Sequence, residues 1–177
     1  MELQDYYQNA INFAGEKHRD QKIPGSDQSY LVHLSSVAME VLIASRHSPG
    51  FDNEFGIQVA LLHDTLEDTA TTFDELREVF GIRIARAVLA LSKNEELPPA
   101  KQITDSLTRI KAEPKEVWAV KLADRISNMQ KPPQHWDKQK ISDYQKMAGI
   151  ILLQLKGGNA YLEQRLLNKI EAYKQYL

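Results

Sequence analysis

The chain contains no cysteine among its 177 residues, which excludes both a disulfide scaffold and a cysteine-ligated zinc site. Its opening residues, Met1-Glu2-Leu3-Gln4-Asp5, lack the charged-then-apolar order of a secretory signal. No apolar run approaches the roughly 20 residues a helix needs to cross a bilayer, so neither a membrane span nor export is expected and a cytosolic location follows. Positive charge is not in excess either. With 22 Lys and Arg against 24 Asp and Glu, the net charge is −2, and no basic tract offers the field that a nucleic acid would require. There is no low-complexity tract, internal repeat or interdomain linker. A chain of this size, 42% hydrophobic and 26% charged, can bury a real core, so residues 1–177 are expected to form a single domain.

What is present reads as helix after helix, without a convincing alternating strand. In the first segment Leu3, Tyr6, Ala10, Phe13 and Ala14 form one stripe, predicting a helix from Leu3 to Lys17. Further helices are expected at His33–Arg46, Glu54–Glu67, Phe73–Phe80, Ile82–Ser92, Ala100–Lys111, Lys115–Met129, Lys140–Leu155 and Ala160–Tyr176, with Gly81 separating two of them. The main loops fall at Asp20–Ser29, Ser48–Asn53, Asn94–Pro99 and Lys131–Asp137. The fold class is all-α, a compact bundle of about eight to ten helices.

The most informative segment is Val59-Ala60-Leu61-Leu62-His63-Asp64-Thr65-Leu66-Glu67-Asp68-Thr69. Phe55, Val59, Leu62 and Leu66 repeat at helical spacing and face inward, while four ionisable groups emerge at the far end. Such groups are costly to bury unless they bind something. On a continuous helix His63 and Glu67 are i,i+4 neighbours, as are Asp64 and Asp68, so the imidazole and the adjacent carboxylate can converge on one cation. Acids at a helix C-terminus also oppose the helix dipole, so Glu67 and Asp68 call for an explanation beyond solvation.

Two more polar residues stand where helical logic would not put them. From Val117 to Met129 the chain is apolar almost all round, the mark of a helix in the domain interior. Its polar residues Lys121, Asp124, Arg125 and Asn128 fall at i, i+3, i+4 and i+7, one wet wall on a central helix. A buried salt bridge from Asp124 to Lys121 or Arg125 would also account for that stripe. His33 stands where a polar loop with Pro24, Gly25 and Ser26 gives way to the second helix, a position that suits a capping residue as well as a ligand. His18, His47 and His135 are read as structural or surface residues.

Together His33, His63, Asp64 and Asp124 make two imidazoles and two carboxylates. That mixed nitrogen and oxygen set suits Mn²⁺, Fe²⁺, Co²⁺ or Zn²⁺ better than the all-oxygen shells of Mg²⁺ or Ca²⁺. The positions left open on such an ion could hold a water and a phosphate oxygen, as metal-assisted hydrolysis requires.

The order His33, His63-Asp64, Asp124 resembles the metal-binding signature of the HD phosphohydrolase superfamily. Ala60-Leu61-Leu62-His63-Asp64-Thr65-Leu66-Glu67-Asp68-Thr69 is similar to the hydrolase motif of the RelA/SpoT alarmone enzymes, and Lys121-Leu122-Ala123-Asp124-Arg125-Ile126-Ser127-Asn128-Met129 to that family's second signature. The likeness extends over Ala14–His33, Thr71–Gly81 and Trp136–Leu162 with its Gly157-Gly158-Asn159, segments that resemble the small stand-alone alarmone hydrolases. The chain has no room for the synthetase that follows the hydrolase in long family members, so the resemblance implies degradation without synthesis.

The resemblance implies Mn²⁺-dependent removal of pyrophosphate from the 3′ position of guanosine 3′,5′-bis(diphosphate) and its pentaphosphate relative, giving GDP or GTP. It implies that Glu67 and Asp68 flank the reacting phosphorus, one serving the nucleophile and the other the leaving oxygen. It also implies substrate contacts from Asn128, Tyr144, Lys140, Lys22 and Lys101. Lys140 and Lys22 stand where those relatives show arginine, and Leu34 where they show proline; lysine keeps the charge but loses the bidentate fork. The partner expected is a free guanosine nucleotide, and oligomeric state stays open. The alternatives are an HD-type nucleotidase or NADPH phosphatase releasing orthophosphate from the same site, and a non-enzymatic nucleotide-binding module.

Overall fold

The computed structural model describes residues 1–177. Its elements are α1 (Leu3–Lys17), α2 (Leu31–Ser45), α3 (Asn53–Leu62), α4 (Thr65–Asp68), α5 (Phe73–Phe80), α6 (Ile82–Leu91), α7 (Pro99–Lys111), α8 (Lys115–Asn128), α9 (Lys138–Gln154) and α10 (Ala160–Tyr173), closed by a 3₁₀ turn at Lys174–Tyr176. The class is all-α, as expected. The one β feature is an isolated antiparallel bridge between Lys22 and Ser29.

Side chains start the helices where the sequence places them. Asp52, Thr72, Asp137 and Asn159 accept from the backbone N–H groups of Phe55, Glu75, Lys140 and Leu162 at 2.7–3.2 Å, satisfying donors that a helix start leaves without partners. Pro98 and Pro114 precede α7 and α8. Gly81, with φ of 85°, lets α5 stop and α6 begin on a single residue, a conformation that a Cβ would strain.

Helix α8 is the axis of the assembly, packed against α2, α3, α6, α7, α9 and α10. Val117, Ala119, Val120, Leu122, Ala123 and Ile126 are all fully buried on it. Each leucine or isoleucine so buried contributes about 1.5–3 kcal/mol, so the polar residues on α8 are held in place by the apolar remainder. A half-buried pair ties α10 to α2: the Arg165 guanidinium donates to both oxygens of the buried Glu40 at 2.5 Å.

One expected element is corrected. Glu54–Glu67 is not a continuous helix. Helix α3 ends at Leu62, and a separate turn, α4, starts at Thr65. The Thr65 hydroxyl donates to the Leu62 carbonyl at 2.7 Å, and Asp64 sits at φ −101°, ψ 0°, a bend that apolar periodicity does not register. The last expected helix likewise ends earlier, at Tyr173, before the 3₁₀ turn.

Candidate metal centre

The bend after Leu62 turns adjacent residues toward one point. On a straight helix neighbours project about 100° apart; here His63 Nε2 lies 2.9 Å from Asp64 Oδ2. His63 Nδ1 donates to the Ala60 carbonyl at 2.8 Å. A carbonyl only accepts, so Nδ1 carries the proton in that contact and Nε2 is the atom presented to the carboxylates. His33, in the first turn of α2, places its Nε2 at 3.6 Å from both Asp64 Oδ2 and Asp124 Oδ1, while its Nδ1 meets the Ser127 hydroxyl at 3.3 Å. Asp124 Oδ1 is 3.8 Å from His63 Nε2. Helix α8 thus presents a carboxylate to both imidazoles.

Both histidines are buried, and neither Nε2 atom has a hydrogen-bond partner. Two buried imidazole nitrogens that converge on carboxylates without hydrogen-bond alignment fit a cation between them. The ligand atoms of His33, His63 and Asp64 lie within 4.8 Å of one another, so these three residues can hold a divalent metal ion.

The charges respond to this crowding. Burial disfavours the His63 imidazolium, but Asp64 and Asp124 outweigh it and push its pKa up to about 10. Burial works against the Asp64 and Asp124 carboxylates too. For Asp64 the charge of His63, the nearness of both imidazoles and the hydrogen bond from the Tyr30 hydroxyl overcome it; for Asp124 Lys121 leads, followed by His63. Both pKa values therefore fall below the usual carboxylate range. The salt bridge weighed from sequence does form, with Lys121 Nζ donating to Asp124 Oδ2 at 3.0 Å. It leaves Oδ1 turned to the histidines, where Asn128 Nδ2 also donates at 2.5 Å. Arg125 takes no part. Its guanidinium lies 4.5 Å over the Tyr144 ring, on the side of α8 that faces α9.

The two acids on α4 are engaged by different parts of the chain. The Glu67 carboxylate is held by Lys93, from its backbone N–H at 2.9 Å and from its ammonium. Asp68 Oδ2 accepts from Gln21 Nε2 at 2.8 Å, and the Gln21 amide oxygen meets His18 Nδ1 at 2.6 Å. His18 is buried and stacks on Tyr30 with ring centroids 5.1 Å apart. Tyr30 in turn donates its hydroxyl to Asp64 Oδ2 at 2.6 Å.

Sequence reasoning missed Tyr30, Gln21 and Lys93; His18, read as structural or surface, is a buried structural residue that backs Gln21 and Tyr30. The available signal was the i,i+3 placement of Tyr30 before His33 and of Gln21 after His18. Nothing local points to Lys93.

Of the residues assigned to substrate, Asn128 joins Asp124 directly. Tyr144 packs edge-on against Trp136, centroids 5.1 Å apart, and burial leads in raising its pKa to about 12. Lys140 lies over the same Trp136 ring, its Nζ 4.7 Å from the centroid. Lys22 stands exposed in the loop that delivers Tyr30, and Lys101 exposed in the first turn of α7. Of these lysines none donates to the histidine and aspartate cluster. His47 and His135 are exposed, His47 stacking on Tyr161.

The chain is similar to the guanosine-3′,5′-bis(diphosphate) 3′-pyrophosphohydrolase MESH1 of Danio rerio, 36% identical over 161 residues, which are 88% of this chain and 87% of the relative. The Homo sapiens MESH1 is 30% identical, covering 89% of this chain and 88% of that one. A solved structure of a metazoan ortholog of SpoT, described as hydrolysing ppGpp, superposes with a TM-score of 0.83 at 22% identity and covers 97% of both chains. The HD domain family matches residues 10–149, a span that takes in His33, His63, Asp64 and Asp124. By that match and by the extent of the MESH1 likeness, the chain belongs to the HD domain family.

Proposed function

We propose that the chain, acting as one domain over residues 1–177, is a metal-dependent guanosine-3′,5′-bis(diphosphate) 3′-pyrophosphohydrolase. The observation that carries this reading is the meeting of two buried, unpartnered imidazole nitrogens with Asp64 and Asp124, beside the acid pair Glu67 and Asp68. The MESH1 relatives, similar over nearly nine-tenths of the chain, carry the same activity in their names.

His33, His63, Asp64 and Asp124 would hold the ion. Their mixed nitrogen and oxygen donors suit Mn²⁺, Fe²⁺, Co²⁺ or Zn²⁺, and the family resemblance makes Mn²⁺ the ion of choice here, with the other three as alternatives. When bound, the ion supplies Lewis acidity, lowering the pKa of a water and neutralising phosphate charge.

The protein groups divide the remaining work. Tyr30 and the Ala60 carbonyl orient Asp64 and His63, and Lys121 and Asn128 orient Asp124. Of Glu67 and Asp68, one takes the proton of the attacking water and the other returns a proton to the ribose 3′ oxygen as its bond to phosphorus breaks, releasing pyrophosphate and GDP. Tyr144 and Asn128 receive the nucleoside, and Lys22, Lys101 and Lys140 the phosphates.

The test is incubation of purified protein and Mn²⁺ with guanosine 3′,5′-bis(diphosphate), nucleoside monophosphates and NADPH. Intact pyrophosphate and GDP from the tetraphosphate are expected. Orthophosphate as the sole product, or monophosphates turned over far faster, would replace this reading with a general nucleotidase. No product from any substrate would leave a binding module.

A further inference from the structure

Glu67 stands on α4, a helix of four residues, Thr65–Asp68, too short to locate a long side chain by itself. Its position is set from elsewhere. Both carboxylate oxygens are taken by Lys93, the second residue beyond α6: the Lys93 backbone N–H donates to Oε2 at 2.9 Å, and the ammonium pairs with Oε1. The Glu67 side chain is 17% exposed and that of Lys93 57%, so the acid lies inside the wall and the lysine at its rim.

Lys93 is itself anchored. Arg109, on α7, donates Nη1 to the Leu89 and Ala90 carbonyls and Nη2 to the Ser92 carbonyl at 2.7 Å, and Asp105 braces its Nε at 2.8 Å. The Ser92 hydroxyl closes on the Val88 carbonyl at 2.9 Å. These bonds occupy carbonyls that the end of α6 would leave without partners and point the Lys93 N–H one way. Beyond the pair opens a cleft of about 450 Å³, lined by Leu66, Glu67, Leu89, Lys93 and Arg109 among others. Glu67 therefore lines that cleft from a turn that begins at the residue after Asp64.

We propose that Lys93 is a positioning residue for Glu67: by gripping both carboxylate oxygens from the α6–α7 connection, it fixes one placement of that acid relative to the metal ligands. The proposal rests on the reading of Glu67 as a group that acts on the reacting atoms. It makes α6 and α7, which supply no metal ligand, part of the catalytic apparatus. Displacing a reacting group by about 1 Å costs on the order of 10²-fold in rate, whereas a substrate contact would express itself in KM.

The experiment compares wild type with Lys93→Met and Lys93→Arg, both substitutions falling on a largely exposed side chain, and reads kcat, KM, bound Mn²⁺ and thermal midpoint. Lys93→Met should lower kcat about 10- to 100-fold with KM, metal content and midpoint unchanged, and Lys93→Arg should restore most of the loss. An unchanged kcat in Lys93→Met overturns the proposal. So does a raised KM at constant kcat, which would make Lys93 a substrate contact, and so does a loss of metal or midpoint, which would make it structural. Wild type and the two variants are assayed on the tetraphosphate, on nucleoside monophosphates and on NADPH. Failure on the tetraphosphate alone removes the alarmone reading while the kcat comparison still decides the role of Lys93; a wild type inactive on all three overturns both.

Discussion

Metal entry at this centre must expel a proton. In the metal-free protein Asp64 and Asp124 hold the His63 pKa up to about 10, against an ordinary 6.5, and the proton concerned is on Nε2, because Nδ1 is committed to the Ala60 carbonyl. Nε2 is also the atom a cation needs. At pH 7.5 nearly every metal-free molecule carries this proton, so binding one ion releases about one proton, and the apparent Kd falls about tenfold per pH unit up to the His63 pKa. Between pH 6.5 and 8.5 the affinity should rise about 100-fold.

The same linkage reaches stability, and the signs can be followed. The His63 pKa is raised on folding, so its contribution in metal-free protein is complete below about pH 6.5 and is lost as pH climbs toward 10, at about 1.4 kcal/mol per unit. The Asp64 and Asp124 values are lowered, so their contribution is present above about pH 4 and is lost as pH falls further. Metal-free protein should be most stable between those limits. Calorimetric titration of Mn²⁺ at pH 7.5 in two buffers of different ionisation enthalpy counts the protons, and urea unfolding at pH 6.5, 7.5 and 8.5 with and without metal reads the stability. Zero proton release, or an affinity flat over that range, would refute the reasoning, as would the same downward slope in the metal-loaded protein, where the imidazole has no proton to lose.

Tyr30→Phe removes a hydroxyl that donates to Asp64 at 2.6 Å and should weaken Mn²⁺ about 10- to 100-fold, the usual cost of losing a partner of a metal ligand; equilibrium dialysis with unchanged occupancy would return Tyr30 to a packing role. Glu67→Gln should keep fold and metal while kcat drops by about 10²-fold or more, and turnover like wild type would leave the carboxylate without a chemical part. Tyr144→Ala should raise KM for the tetraphosphate about tenfold or more, in line with the loss of a ring that stacks on a base, with metal affinity intact; a fall in metal content alone would place Tyr144 with the centre and not the nucleoside.

Much of this molecule is legible in the chain because apolar spacing and caps agree. Helices α1 and α5 have the expected bounds, five others begin and end within two residues of theirs, and α3 and α10 begin so but end early, at the bend and at the closing turn. The histidine and aspartate cluster was legible for a different reason: His33, His63 and Asp124 are polar groups set among residues that must be buried, and each is indeed at most 6% exposed. The bend at His63-Asp64 was not, because it comes from one threonine hydroxyl capturing one carbonyl, an event without a period.

The residues that grip the two acids escape sequence reasoning on physical grounds. Lys93 meets Glu67 across 26 positions and Gln21 meets Asp68 across 47, and all four are surface-type side chains that a solvated helix would display equally well. Only tertiary placement separates the cases. The short bridge between Lys22 and Ser29 brings Gln21 and Tyr30 together, with the Tyr30 N–H donating to the Gln21 carbonyl at 3.0 Å, so that one small loop delivers a partner to Asp68 and another to Asp64. Glu67 is served from the opposite side, by α6 and α7. Neighbouring acids on one short turn are thus held by unrelated segments, one by a neutral amide and the other by an ammonium. That asymmetry in partners arises from elements that contribute nothing to the metal set.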